Sequence, residues 1–162
     1  MAPLPCILRD ERGSMAIETA FVAPILLVLA LGGFEVSTMV ARQTELQSAA
    51  AEAATVVRAV APETAEEQNT IRDIVATSVC GNTTPTVAED GKSTCNSATV
   101  GVVPLYRCGT ATNYSTTNGG CGSDVQYEFI RVDISDKYAP VWTKFGVTSG
   151  FDYNISRTVQ IG

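Results

Sequence analysis

Residues 18–35 read ETAFVAPILLVLALGGFE. Sixteen uncharged residues lie between the two glutamates, and across the wider stretch 14–41 only Glu18 and Glu35 are ionisable. At a helical rise of about 1.5 Å per residue the uncharged run is about 24 Å long. The wider stretch, about 42 Å, exceeds a hydrocarbon core of about 30 Å. One membrane span fits, with each acid near an interface. No second apolar run approaches this length, so a single pass is expected. An acid at mid-span costs roughly 2.5–3.5 kcal/mol on insertion scales and less near the edge. Glu18, one turn inside the helix, is therefore a candidate functional residue, with a snorkelling edge acid as the plainer reading. Pro24, Gly32 and Gly33 are helix defects that spans tolerate; they are expected either to kink the helix or to serve as packing points, and Glu35 closes the run.

The remaining composition narrows the function. The chain has 162 residues, 11 Lys+Arg against 17 Asp+Glu, no histidine and five cysteines. That length fits one head of ordinary size. A formal charge of −6 argues against a nucleic-acid binder, which needs a basic face to displace counterions from phosphates. Without histidine neither a Ser-His-Asp nor a Cys-His arrangement can be built, and the commonest zinc ligand is missing. A cleaved secretory signal fits poorly: the apolar run is preceded by Arg9, Asp10, Glu11, Arg12 and Gly13, and no small-residue cleavage site follows it.

Residues 12–24, RGSMAIETAFVAP, resemble the start of TadE-like proteins, minor pseudopilins of the tight-adherence (Flp) pilus system. Like type IV pilins, such proteins carry a leader ending in glycine and a glutamate at the fifth position after it. Here those positions are Gly13, with Ser14 as first mature residue, and Glu18. The run E-x-A-x-V-x-P, leucines, glycine and a second acid is similar as well. So is the ending RVDISDKYAPVWTKFGVTSGFDYNISRTV (131–159), with its strand, Tyr-x-Pro turn, short helix and last strand. The cysteine-bearing middle, 81–126, is not covered.

The resemblance implies cleavage after Gly13 by a prepilin peptidase at the cytoplasmic face. The new ammonium on Ser14 would sit at a helix end of positive partial charge, with the Glu18 carboxylate one turn in to compensate it on its own or an adjacent subunit. In a low dielectric an unpaired amine or acid is costly, so the pair favours lateral docking of helices in one register. The implied partners are the prepilin peptidase, a partner minor pseudopilin, other pilus-assembly membrane proteins and the major pilin. The implied site is the bacterial inner membrane, with the amino terminus cytoplasmic and the head periplasmic; Arg9 and Arg12 before the span against Arg42 after it agree with the positive-inside bias.

Beyond the span, 42–60 reads RQTELQSAAAEAATVVRAV, without glycine or proline. The helix is expected to continue to Pro62, with Leu46, Ala49, Ala50, Ala53, Ala54, Val56 and Val57 as its apolar face. A second helix is expected over 63–79, with Pro62 in its first turn, a buried stripe of Ile71, Ile74, Val75 and Val79, and Gly81 as its stop. Strands are expected at 98–106, where Pro104 marks an edge, at 125–135 and at 151–161, with a turn and short helix carrying Trp142 at 138–145. On the last strand Arg157 interrupts an apolar face and could pair with Asp133 or Glu128. The polar stretches near 81–97 and 108–124 read as loops. The fold class is therefore α+β, pilin-like by resemblance: a long amino-terminal transmembrane helix, then a head with a second helix and a small antiparallel sheet. The organisation expected is leader 1–13, span 14–41, helix extension 42–61 and head 62–162.

Cys6 falls in the leader, while Cys80, Cys95, Cys108 and Cys121 follow the span. Cleavage would leave an even four, as suits disulfides in an oxidising compartment. Four cysteines allow three pairings; Cys80–Cys95 with Cys108–Cys121 is favoured because each closes a local polar loop with little core to order it. Spacings of 15, 13 and 13 without a close C-x-x-C pair speak against zinc. No cofactor, metal site or catalytic dyad is expected. The function expected is association, as a minor pseudopilin that assists assembly or initiation of the pilus used for surface attachment. Two alternatives stand beside it: an uncleaved, single-pass anchored extracytoplasmic binding protein, and a tethered carboxylate-dependent hydrolase.

Overall fold

The computed structural model describes residues 11–162, with side chains from residue 15 onward except that of Phe145. The expected leader falls mostly in residues 1–10, Cys6 among them, which lie outside the described residues. The chain divides into two compact units, residues 1–39 and 40–162. Helix α1, Glu11–Val60, contributes to both. In the second unit follow α2 (Ala65–Cys80), β1 (Thr86–Val87), β2 (Ser93–Cys95), β3 (Ala98–Cys108), β4 (Gln126–Tyr138), a short 3₁₀ helix (Val141–Phe145) and β5 (Phe151–Gln160). The fold is α+β.

Helix α1 runs on because nothing between Arg42 and Val60 breaks it, and it stops where Ala61 turns to φ 46° ahead of Pro62. Its expected apolar face is the buried one. Leu46, Ala49, Ala50, Ala53 and Val57 are in the core, with Ala54 and Val56 partly covered beside them. Full burial of one such leucine contributes about 2 kcal/mol.

Helix α2 starts later than expected. Thr64 is its N-cap, accepting from the Glu67 amide at 3.3 Å while the Glu67 carboxylate accepts from the Thr64 amide at 3.1 Å. This reciprocal capping box sets the start, so Pro62 lies before the helix and not in its first turn. The Thr64 amide, the Thr64 hydroxyl and the Glu63 amide together hold the Glu67 carboxyl below its ordinary range. Gly81 at φ 58° ends the helix. The buried stripe is Ile71, Val75, Ala76 and Val79 with Arg72; Ile74 is 53% exposed and does not belong to it.

The five strands form one antiparallel meander in the order β1-β2-β3-β4-β5. The β1–β2 hairpin lies in a stretch read from sequence as loop. It turns on Gly91 at φ 77°, with Ala88 and Gly91 supplying turn hydrogen bonds. The long β3–β4 pairing runs in register from Thr99↔Ser135 to Cys108↔Gln126, and β4–β5 from Phe129↔Gln160 to Tyr138↔Phe151. One face of the sheet carries Val100, Ile130, Val132, Ile134 and Val159 into the core. Pro104 sits on β3 beyond the reach of β2. It shares parity with Tyr106, whose amide and carbonyl both turn to Ser115, away from β4, so the missing proline N–H costs no ladder bond.

Candidate functional site

In the first unit, Gly13 and Ser14 lie in the first turn of α1, and Glu18 follows one turn later on an exposed face. The Thr19 hydroxyl donates to the Met15 carbonyl at 2.8 Å. Large apolar side chains stand out around them: Phe21 74% exposed, Ile25 62% and Leu29 65%. Pro24 is inside the helix and has no N–H to give the carbonyl of Ala20. A Cβ built on Gly32 or Gly33 would meet nothing within 4 Å. At about 100° per residue, Glu18 and Gly32 lie within roughly 40° of each other around the helix. One stripe thus joins the acid to a small residue that lets another backbone come close. Glu35 lies on a different side and is buried; its carbonyl accepts from the Thr38 hydroxyl at 2.8 Å.

In the second unit several charged side chains are bound to one another. Asp136 on β4 accepts from Arg42 Nε at 2.8 Å, Ser97 Oγ at 2.6 Å and the Lys137 amide at 2.8 Å. Arg42 also donates to Glu45 at 2.8 Å and to the Val79 carbonyl at 3.4 Å. One cluster thus joins α1, the end of α2, the β2–β3 turn and β4. Burial pushes the Asp136 carboxyl upward, but the Ser97, Arg42 and Lys137 hydrogen bonds outweigh it and hold it below 3.8. Burial likewise opposes the Arg42 charge, and its bonds to Glu45 and Asp136 prevail, leaving the guanidinium more basic than usual. A cleft of about 470 Å³ opens beside this cluster, lined also by Tyr138 and the Cys80–Cys95 bridge.

A second cluster holds α2 to the β1–β2 hairpin. Buried Arg72 donates to the Gly91 carbonyl at 2.7 Å and to Asn69 at 2.8 Å, and Asp73 accepts from Arg72 and from the buried Ser93 hydroxyl. Asp133 pairs with Arg131 at 2.8 Å, not with Arg157, which is exposed opposite Val132. These acids hold the fold together. Among the described residues no group of three metal-ligating side chains comes together.

Two disulfides form among the described residues. Cys80–Cys95 ties the last residue of α2 to β2, with Cα atoms 5.9 Å apart. Cys108–Cys121, at 5.1 Å, closes the loop after β3. That loop folds back on the outer face of the sheet. The Tyr114 ring meets Phe129 edge-on at 5.1 Å, and the Arg107 guanidinium lies over Phe129 at 5.1 Å and Tyr127 at 5.6 Å. These contacts explain why Leu105 and Phe129 are buried on the face away from the helices.

The matching segment begins at Gly13, takes in the exposed Glu18 stripe, and ends at Thr55 on the part of α1 buried in the second unit. Residues 13–55 match the TadE-like protein family. That match is a likeness of this segment to TadE-like proteins and covers 43 of the 162 residues. The matched segment overlaps the one helix among the described residues, Met15–Val60, that is long and apolar enough to cross a membrane, which fits a single-pass anchor. The strand–turn–strand ending lies outside the match. No curated protein and no solved structure matches the chain.

Proposed function

We infer that this chain is a minor pseudopilin of the tight-adherence pilus, cut after Gly13 by a prepilin peptidase and held in the inner membrane by α1 with its head in the periplasm. The observation that carries the reading is the TadE-like match starting on Gly13, with Glu18 exposed one turn beyond the cut on a helix whose apolar side chains have no cover of their own. Cleavage converts the Gly13–Ser14 peptide into an ammonium at the helix start. The Glu18 carboxylate neutralises it on the same or a neighbouring helix, where an unpaired charge in lipid would be costly. Ion pairing fixes the register, the open surface at Gly32 and Gly33 permits close approach, and a bundle of helices forms. The partners are a second minor pseudopilin, other pilus-assembly membrane proteins and the major pilin. The role is association, not catalysis: it assists assembly or initiation of the filament used for surface attachment.

Glycine at position 13 lets the peptidase reach the backbone with no side chain in the way. Gly13→Glu is therefore expected to leave the full-length mass in cells that carry the peptidase, and Glu18→Ala to keep processing but lose co-purifying pilus-assembly proteins. Mature-size Gly13→Glu protein, or unchanged partner recovery with Glu18→Ala, contradicts the reading.

A further inference from the structure

Within the 109–125 loop, Asn118-Gly119 is the only Asn-Gly pair in the chain, and both residues are exposed. Gly119 has φ +82°, and an added Cβ there would meet nothing within 4 Å. Its amide nitrogen is therefore open on the side where any other residue carries a side chain. The pair is nevertheless held in place. The Gly119 N–H donates to Gln126 Oε1 at 2.9 Å, and Gln126 Nε2 donates to Asn118 Oδ1 at 2.8 Å. The backbone N–H decides which end of the Gln126 amide is oxygen, so the other end is the donor that faces Asn118.

Both bonds end on adjacent atoms of one planar carboxamide. The side-chain carbonyl of Asn118 and the nitrogen of Gly119 are thus held side by side, an electrophile next to a nucleophile within one dipeptide. Gln126 Nε2 points at the oxygen that takes negative charge when a nitrogen adds to Asn118 Cγ, which is the place of an oxyanion donor. The frame around this contact is fixed. Gln126 is the first residue of β4, opposite Cys108, and Cys108 is bridged to Cys121. Tyr106 and Ser115 exchange two backbone hydrogen bonds at 2.8 Å, which dock the loop on β3.

We propose that Asn118 is a self-modification site, cyclised by the Gly119 nitrogen with Gln126 polarising the carbonyl. The nitrogen attacks Cγ, the Cγ–Nδ2 bond breaks, and the Gly119 proton leaves with that group as ammonia. A five-membered succinimide ring remains. Water attack on Cγ breaks the new bond and leaves aspartate at position 118; attack on the main-chain carbonyl carbon breaks the old peptide bond and leaves isoaspartate. Water is the only co-reactant. Either product adds a negative charge near Glu128, whose Oε1 already lies 3.4 Å from Gln126 Nε2. Isoaspartate also lengthens the main chain near Cys121 inside the ring closed by the Cys108–Cys121 bridge. The loop that covers Phe129 through Tyr114 thus carries an irreversible mark of the protein's age.

The full-length protein is kept in mildly alkaline buffer and sampled for peptide mapping by mass spectrometry. Position 118 is expected to gain the mass of an amide-to-acid change. Asn82, Asn96, Asn113 and Asn154, none followed by glycine, keep their amides. Gln126→Met preserves the side-chain length and removes both bonds. Conversion at 118 should then slow about fivefold, a fraction of the roughly 100-fold that a buried oxyanion donor contributes. A synthetic peptide spanning residues 113–120 gives the rate without the fold, and the folded protein should exceed it. An Asn118 amide that outlasts the peptide's overturns the proposal, as does a Gln126→Met protein that converts as fast as wild type or faster.

Discussion

Replacing Arg42 with methionine keeps the aliphatic stem and removes the charge that joins α1 to β4. The Asp136 side chain is 6% exposed, so its carboxylate cannot turn to water for a substitute. It would keep the Ser97 and Lys137 hydrogen bonds and lose only the Arg42 Nε bond. A hydrogen bond to a charged, buried group contributes about 2 kcal/mol. The Arg42–Glu45 pair, with Glu45 62% exposed, adds no more than about 0.5 kcal/mol. Arg42→Met should therefore cost about 2–2.5 kcal/mol at neutral pH.

The pH dependence has a definite sign. The Asp136 carboxyl is held below 3.8 in the folded protein, so its contribution is present above that value and disappears as pH falls through the depressed native one. Wild-type protein then loses what the variant already lacks, and the difference shrinks toward zero in acid, where both carboxylate pairs of Arg42 are lost. Urea unfolding of the full-length chain in nanodiscs, followed by Trp142 emission, reads both values. A neutral-pH cost below about 0.5 kcal/mol, or an equal cost at both pH values, refutes the reasoning.

The two disulfides close loops of similar length, at separations of 15 and 13, so each removes about 3 kcal/mol of unfolded-chain entropy. Cys95 is buried in the core, whereas residues 110–120 are exposed; the Cys80→Ala/Cys95→Ala pair should therefore lower the urea midpoint more, while Cys108→Ala/Cys121→Ala opens 109–125 to protease with a smaller midpoint shift. Equal midpoint shifts would contradict this. Gly150→Ala should destabilise the head by about 1–3 kcal/mol, because Gly150 has φ +100° and an added Cβ would lie 2.7 Å from the Tyr138 carbonyl oxygen; an unchanged melting temperature would argue against that turn.

Much of the fold was legible because its signals are local. The uninterrupted apolar run, the absence of glycine and proline from 42 to 60, and alternation along the last three strands each specify an element through its own neighbours. What escaped depends on distant partners. Strands β1 and β2 are two and three residues long and rich in serine and threonine, so alternation cannot flag them; the Asp90-Gly91 turn was the only available sign. Arg72 and Ser93 are buried because they bond to Gly91 and Asp73 across the α2–hairpin contact, and no helical periodicity announces a buried arginine. Ile74 fits the apolar stripe by spacing, yet the sheet covers α2 from the side of Ile71 and Val75. The Arg42–Asp136 bond spans 94 residues, a pairing that two isolated charges in a sequence do not declare. Gly13, Ser14 and Glu18 were readable by spacing and resemblance, since their proposed role lies in a motif and not in a fold.

The most direct test is the amino-terminal sequence of the protein isolated from native envelopes. Cleavage beside Gly13 predicts a first residue of Ser14, followed by Met15, Ala16, Ile17 and Glu18. Recovery of the chain with Met1 or any other leader residue still attached contradicts the account, because no ammonium would then stand one turn from the Glu18 carboxylate.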